Sequence, residues 1–494
     1  LMRQISVGKN KKGDEFFIIT FDYDNDLVTA IRKIPCARFN KSTMCWYVPL
    51  DYSVIKYIEI FGKYFNFNFT DISLEKIKEM KVIKDDIEIP SIKMELRQFQ
   101  KKGVAYAVQH KKCFIADEMG LGKSAQAIAA VEYLNSYPCL ILCPSSVKLN
   151  WKKEIEMWVN RQSFVVDGLI REKKNNDKYI DYVKPEYNGD FIIINYDILD
   201  KKKKIKIIEN DNKKNKTIIL PSHKDFLSKI QFKSVIIDES HYLKNPKAER
   251  TKCVKELVKN IPYKFALTGT VVMNRPFELI SQLDILDRLD YFGGFWGFVK
   301  KYCNANQTIF GWDFSGALNL QELFEKLKET CYIRRLKKDV ANELPEKQRT
   351  FIPIEIDNID EYKKVTSDFI SWFMEKKIDS KEIENSLNLD LKLPQAYKDK
   401  LIRDSIILKL NKAKMTEALL KIEYLKQIVA KGKINKYIEF VNNVLEQGNK
   451  IVLFAVHTDI QRILYEKYKN IAVHIFSSDT DVQRQSAVDR FQND

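Results

Sequence analysis

The chain is poor in the residues that staple or wire small proteins together. Its 494 residues include 5 histidines and 8 cysteines, and no two cysteines are spaced Cys-x-x-Cys. Cys139 and Cys143 lie in an apolar run, where cysteine acts as a small core residue. Cys36 and Cys45 have no histidine near them in the sequence. A disulfide framework or a zinc ribbon is therefore not expected, and a reducing, intracellular compartment is. No cluster of metal-ligating residues suggests a nuclease centre. No run of about eighteen apolar residues exists, so no membrane partner is expected, and the N-terminus lacks a signal-peptide pattern. Acidic residues are outnumbered: 67 Asp and Glu face 83 Lys and Arg, a net charge of +16. Such a surplus suits a polyanion such as nucleic acid. A solvated surface in a chain biased towards Lys, Asn and Ile explains it equally well.

Hydrophobic residues make up 45% and aromatics 12%, enough for real cores, and the length implies about three or four structural units. Residues 1–75 read as a small α+β module, with a strand at 15–21, a helix at 25–34, a hairpin at 38–48 and a helix at 53–64. The charged stretch 71–92 reads as a connector, which places a linker at 76–95. Residues 96–290 alternate strand and helix. Strands are expected at 112–116, 139–143, 191–194, 233–238 and 264–267, and helices near 97–109, 123–135, 146–159, 247–259 and 276–287. That alternation predicts an α/β fold, a parallel sheet covered by helices on both faces. Residues 171–189 and 200–224 interrupt it, and the lysine tract from Lys201 reads as a solvated loop or β-ribbon. Residues 291–430 read as charged helical insertions without a sheet. Strand–helix alternation resumes within 431–494, with strands at 450–455 and 471–476.

Two segments carry chemistry together. The apolar strand at 113–116 leads into Asp117-Glu118-Met119-Gly120-Leu121-Gly122-Lys123-Ser124 and then an alanine-rich helix. A glycine turn that opens a helix presents backbone N–H groups and a lysine to phosphates, and a hydroxyl to a metal. The strict phosphate-loop pattern asks for glycine where Asp117 stands. The second segment, Ser234-Val235-Ile236-Ile237-Asp238-Glu239-Ser240-His241, is a buried strand ending in two carboxylates. Adjacent carboxylates repel unless a cation compensates them. Magnesium would be that cation, with Ser124 and Asp238 as its ligands and Glu239 aligning or deprotonating water. Lys123, Asp238 and Glu239 are thus the candidate catalytic residues, and ATP with Mg2+ is the expected cofactor pair. Two further strand ends are ambiguous alone. Thr268-Gly269-Thr270 reads as a coupling element or as an ordinary turn. Cys143-Pro144-Ser145-Ser146, followed by Lys148, reads as a phosphate contact or as a plain helix cap.

Taken in order, these stretches resemble the Swi/Snf-type DNA translocases of helicase superfamily two. The resemblance rests on DEMGLGKS at 117–124, LILCPSSVKLNWKKEIEMW at 140–158, IIDESHYLKNPKAERTK at 236–252, LTGTVVMNRPFEL at 267–279 and IRRLKKDVANELPEKQR at 333–349. It runs from about Leu96 to the end. Residues 311–340 look most like the annealing-helicase (HepA-related, HARP) branch, and the hairpin with Trp46 is similar to that branch's accessory module. The resemblance implies a RecA-like lobe, the start of a second RecA-like lobe and helical insertions between them. It implies that Gln100 reads adenine, that Asp117, Met119, Gly120, Leu121, Gly122, Lys123 and Ser124 line the nucleotide, and that His241 links nucleotide state to Thr268–Thr270. Ser145, Ser146, Lys148, Asn195, Tyr196, Thr268, Thr270, Asn274 and Ser477 would lie along the DNA. Arg334, Arg335, Leu344 and Pro345 would mark the passage between lobes.

Two departures stand out. Val271 occupies the place where the family has proline, which implies a local backbone change. The family's last motifs, with their arginine fingers, would follow Asp494, so the sequence as given is expected to bind nucleotide and hydrolyse it poorly. The expected activity is an ATP-dependent motor on double-stranded DNA. A fork-remodelling or annealing motor on branched DNA is the alternative with the same engine. A non-catalytic scaffold that binds DNA or a protein partner is the alternative from another class.

Overall fold

The computed structural model describes residues 3–10, 13–81, 87–175, 179–208, 215–269, 275–308, 311–341, 343, 348–368 and 417–493. Two compact units result, Leu1–Pro345 and Glu346–Asp494.

The first unit begins with a five-stranded sheet in the order β3-β4-β2-β1-β5. Its strands are β1 (Gln4–Lys9), β2 (Glu15–Thr20), β3 (Arg38–Asn40), β4 (Cys45–Pro49) and β5 (Asn68–Phe69). Helices α1 (Asn25–Ile31) and α2 (Tyr52–Tyr64) start where the pattern predicts, each under an aspartate cap, Asp24 and Asp51. The connector expected from residue 71 begins instead as helix α3 (Asp71–Lys81). Ser73 and Ile77, one turn apart, bury one stripe, while an acid opens the helix and lysines close it.

The centre of the unit is a seven-stranded sheet in which every neighbouring pair is parallel. Its members are β6 (Lys112–Ile115), β7 (Cys139–Cys143) and β8 (Ser163–Val165), followed in the chain by a separate ribbon of β9 (Glu172–Asn175) and β10 (Tyr179–Tyr182). Then come β11 (Phe191–Asn195), a second ribbon of β12 (Lys204–Ile208) and β13 (Asn215–Ile219), and the sheet strands β14 (Ser234–Ile237) and β15 (Tyr263–Leu267). After a small hairpin of β16 (Asn306–Thr308) and β17 (Gly311–Asp313), β18 (Tyr332–Ile333) completes the sheet, in the order β18-β6-β15-β14-β7-β11-β8.

Strand geometry explains why β7 and most of β11 read as unbroken apolar runs. Successive side chains point to opposite faces, so a sheet covered on both sides needs apolar residues at every position. Cys139, Ile141 and Cys143 enter one core with α4 (Gln98–His110), α5 (Lys123–Tyr133) and α6 (Lys148–Trp158). Leu140 and Leu142 enter the other, with α7 (Tyr196–Leu199), α8 (His223–Leu227) and α9 (Glu249–Leu257). The first core is continuous with that of the N-terminal module, through Ile5, Phe17 and Val54.

A buried ion pair fastens the module to the sheet. Arg288 is fully buried and donates to Asp51 Oδ1 at 2.9 Å, to the carbonyl of Lys112 at 2.9 Å and to that of His110. Arg288 holds the Asp51 carboxyl below the usual carboxylate range, against the opposing pull of burial. Ser53 Oγ adds a bond to the carbonyl of Thr330 at 2.8 Å.

The stretch beyond 291 is helical, with α11 at Gly294–Tyr302 after α10 (Leu279–Ile285), α12 at Leu320–Thr330 and α13 at Lys337–Val340. Contrary to expectation it also supplies sheet, because β18 lies along β6. Two residues carry no periodic signal, which is why the strand escapes a pattern search. In the second unit the described residues form helices at Ile359–Ser367, Glu417–Gly432, Ile434–Glu446, Thr458–Tyr468 and Asp481–Asn493. The strands expected at 450–455 and 471–476 are not formed. Neither segment is paired in a sheet, and Val452, Phe454 and Ile471 are exposed. A strand needs a neighbour for its N–H and C=O groups, and apolar alternation alone cannot supply one.

Candidate nucleotide and DNA site

Because all the strands of the central sheet run the same way, β6, β15, β14, β7 and β11 end on one edge. The lysine turn, Thr268, the paired carboxylates, Ser145 with Ser146 and Asn195 with Tyr196 lie at or just after those ends, while Arg334 and Arg335 follow β18 and Gln100 lies in α4. β6 and β14 are separated by β15 alone, so the lysine turn and the paired carboxylates face one another across a single strand. This carboxyl edge is where open α/β sheets bind ligands.

The lysine turn is built by two glycines with left-handed backbone, Gly120 at φ 84° and Gly122 at φ 72°, the latter capping α5. Both φ values suit glycine. A Cβ on Gly122 would also meet Gln100 Nε2 at 2.4 Å. Lys123 Nζ donates to the carbonyl of Asp117 at 3.1 Å. Burial lowers the Lys123 pKa, Lys337 reinforces the shift, and Glu239, Asp117 and Asp238 oppose it. The lysine is therefore a desolvated cation within electrostatic reach of all three carboxylates. Ser124 is half-buried beside it.

Asp238 is held from both sides. Trp151 Nε1 donates to its Oδ2 at 2.8 Å, and the Glu239 N–H donates to its Oδ1 at 2.9 Å. Burial raises the Asp238 pKa, the Trp151 bond opposes that rise, and Glu239 adds to it. Glu239 adopts a left-handed conformation, φ 46°, which is uncommon for a non-glycine residue. His241 Nδ1 lies 3.1 Å from Glu239 Oε2 without an aligned hydrogen bond. Ser240 Oγ donates to Gln282 Oε1 at 2.8 Å and ties the turn to α10.

Asp117, where a phosphate loop carries glycine, is completely buried. Its carboxylate accepts from Arg335 three times: from the backbone N–H at 2.9 Å, from Nε at 3.0 Å and from the guanidinium NH2 group at 2.5 Å. Gln126 Nε2 donates to it at 2.9 Å. Arg335 also reaches Gln126 Oε1 at 2.7 Å and the carbonyl of Phe99. The Lys337 N–H donates to Glu118 Oε2 at 2.7 Å. Arg335, expected only to mark a passage between lobes, is thus built into the lysine turn. Sequence reading missed Arg335, Gln126 and Trp151 in these places. Gln126 alone left a signal, a polar residue inside an alanine-rich helix.

Other expected site residues divide. Gln100 is buried with its amide engaged at both ends, accepting from Arg97 N–H at 2.9 Å and donating to the carbonyl of Leu121 at 3.3 Å. Met119 is exposed and Leu121 buried. Ser146 is exposed and Ser145 half-buried at the edge after β7. Lys148 is buried, donating to the carbonyl of Val166 at 3.3 Å and to Asp167 Oδ1 at 3.2 Å. Tyr196 is buried and its hydroxyl donates to the carbonyl of Asp238 at 2.6 Å. Asn195 is buried beside it, and its Oδ1 has no partner among the described residues. Thr268 is buried at the end of β15. Thr270, Asn274, Leu344 and Pro345 lie outside the described residues. Ser477 is exposed in the second unit.

Among the described residues no group of three or more His, Cys, Asp or Glu side chains is placed to hold a metal, and no helix is long and apolar enough to cross a membrane. Magnesium at a nucleotide needs only one or two protein ligands, with phosphate and water completing its shell. The half-buried Asp238 carboxylate and the Ser124 hydroxyl offer the oxygen donors it takes.

Residues 44–402 match the family model described as the SNF2-related domain. The Xenopus laevis SWI/SNF-related matrix-associated actin-dependent regulator of chromatin subfamily A-like protein 1 is 29% identical over 435 residues, 86% of this chain and 38% of that protein. Human DNA annealing helicase and endonuclease ZRANB3 is 34% identical over 289 residues, 57% of this chain and 24% of that protein. The chain thus spans well under half of either relative. The solved Sulfolobus solfataricus SWI2/SNF2 ATPase core in complex with dsDNA aligns at 24% identity and a TM-score of 0.39, covering 83% of this chain and 78% of that one. With a family model matched over most of its length, this chain belongs to the SNF2-related family.

Proposed function

We propose that this chain is the engine of an ATP-dependent motor acting on double-stranded DNA. One observation carries the reading: a desolvated lysine, a glycine turn and two carboxylates are gathered at the carboxyl edge of one parallel sheet. Gly120, Gly122 and Lys123 would cradle the triphosphate of ATP. Ser124 and Asp238 would hold Mg2+, whose chemistry is to neutralise charge on the phosphates. Glu239 would orient the attacking water, with His241 beside it. Met119 and Leu121 would flank the nucleotide. Gln100 would reach adenine only by giving up its bond to the Leu121 carbonyl.

DNA contacts would be made mainly to phosphate, from Ser145, Ser146, Thr270 and Asn274, with Ser477 in the second unit. Thr268, Asn195 and Tyr196 would act from beneath that surface. Lys148, committed to Asp167, would act as a strut. Binding through phosphates is tolerant of sequence and weakens steeply with salt.

The test is ATP hydrolysis by the full-length protein, expected to be stimulated by duplex DNA and abolished by Lys123→Ala. Stimulation by RNA and not by DNA removes the assignment. A second reading, a fork-remodelling or annealing motor, is favoured by the relative whose name is DNA annealing helicase. Equal rates on branched and linear duplex argue against it. A scaffold role without catalysis requires Glu239→Gln to leave biological activity intact.

A further inference from the structure

An aromatic ladder stands on the surface of the first unit, apart from the nucleotide edge. Phe277 and Phe314 stack with centroids 5.1 Å apart and planes within 4°, and Phe314 and Trp312 follow at 6.3 Å and 2°. Trp296 then meets Trp312 at 5.2 Å, edge to face. Phe277 and Phe314 pack against the main core, so the inner rungs are anchored. The outer ones are open: Trp296 is 50% and Trp312 45% exposed. Leaving two neighbouring indoles in water has a cost in free energy, and exposed apolar patches of this kind mark binding sites.

The surroundings decide what the ladder suits. Trp312 lies in β17, directly opposite Gln307 of β16. Side chains alternate along a strand, so Trp312 and Phe314 share one side and Asp313 faces the other. The Asp313 carboxylate accepts from Ser315 N–H at 2.9 Å and Ser315 Oγ at 3.1 Å, turned into its own bend. Trp296 stands on α11, whose last turn carries the exposed Lys300 and Lys301, the latter paired with Glu322. Arg275, exposed, lies within electrostatic reach of Asp313. Parallel rings, an amide beside them and a basic fringe match a nucleobase and its phosphate. Every base has a π-face, so such a platform binds without regard to sequence.

We propose that Trp312, buttressed by Trp296 and the stacked phenylalanines, binds an unpaired base, so that this surface holds single-stranded DNA beside the duplex. The proposal deepens the motor reading and borrows from it only the identity of the polymer.

The experiment measures anisotropy of a short labelled oligo(dT) and of blunt duplex DNA with the full-length protein. Trp312→Ala is expected to weaken oligo(dT) binding about tenfold, in line with base–aromatic stacking elsewhere, and to leave blunt duplex affinity within about twofold. Trp312→Phe is expected to retain most of the oligo(dT) affinity. A duplex with an abasic tail is expected to lose the same factor with unmutated protein and to lose nothing further with Trp312→Ala. Unchanged oligo(dT) affinity in Trp312→Ala, or equal losses on oligo(dT) and blunt duplex, overturns the proposal. Unchanged DNA binding with loss of a self-association seen in the unmutated protein assigns the face to a protein contact instead, and also overturns it. Blunt-duplex stimulation of ATP hydrolysis reports on the motor reading separately: its absence with an intact Trp312 effect refutes the motor and leaves the base platform standing.

Discussion

Replacing Arg335 by methionine should damage nucleotide binding from a position outside the lysine turn. The substitution removes two side-chain bonds to Asp117, at 3.0 and 2.5 Å, and the bond to Gln126 at 2.7 Å. Asp117 keeps the backbone N–H of residue 335 at 2.9 Å and Gln126 Nε2 at 2.9 Å. It is left a buried carboxylate without its cation. Breaking a buried pair from one side costs about 3–5 kcal/mol, and because the Arg335 side chain is 14% exposed the lower end applies. Asp117 also supplies the carbonyl that holds Lys123 Nζ. If about 1.4 kcal/mol of the loss falls on the folded lysine turn, nucleotide affinity drops about tenfold. Adding Asp117→Asn to Arg335→Met removes the stranded charge and should recover about half of the stability. Urea unfolding and titration with a fluorescent ATP analogue, run as a double-mutant cycle, measure both effects. A coupling below about 0.5 kcal/mol, together with nucleotide affinity within twofold of the unmutated chain, would refute the reasoning.

Three further outcomes are expected. Asp51→Ala strands the fully buried Arg288 and should lower stability by about 3–5 kcal/mol in urea unfolding; a loss under about 1 kcal/mol contradicts the ion pair as the fastening. His110 is buried and its pKa is lowered, by burial and then by Arg288, to about 4. The unfolded chain therefore binds more protons below its ordinary value near 6.5, so stability is full above that pH and falls by about 1.4 kcal/mol per unit between there and about pH 4. His110→Gln should flatten that slope, and an unchanged slope rules the residue out. Gly122→Ala forces a Cβ to within 2.4 Å of Gln100 Nε2 at a left-handed backbone position; ATP binding should fall at least tenfold, measured by the same titration, and normal affinity argues against the turn as the phosphate cradle.

The parts legible in the sequence are those in which one residue's surroundings are fixed by its neighbours in the chain. Residues 191–194 and Cys139–Cys143 are uninterrupted apolar runs because both faces of their sheet are covered, and they stand where the pattern places them. The lysine turn and the Asp238–Glu239 strand end are legible because a glycine turn opening a helix and a carboxylate pair closing an apolar run are local patterns. What escaped is long-range. Nothing local to Arg335 announces a carboxylate 218 residues earlier. Tyr332–Ile333 is a strand only because β6 offers it a free edge. The converse error, expecting strands at 450–455 and 471–476, has the same origin. An apolar run states a preference, and only a hydrogen-bonding neighbour turns it into sheet.

The lengths of the outermost strands have a consequence for how this protein behaves in a crowded solution. An all-parallel sheet rich in isoleucine, leucine and cysteine would make an efficient template for aggregation if its rims were long. Here β18 supplies two residues on one rim and β8 three on the other. So few free amide and carbonyl groups give an incoming extended chain almost no register to lock onto. A sheet largely apolar at its centre is in this way kept from recruiting further molecules strand by strand.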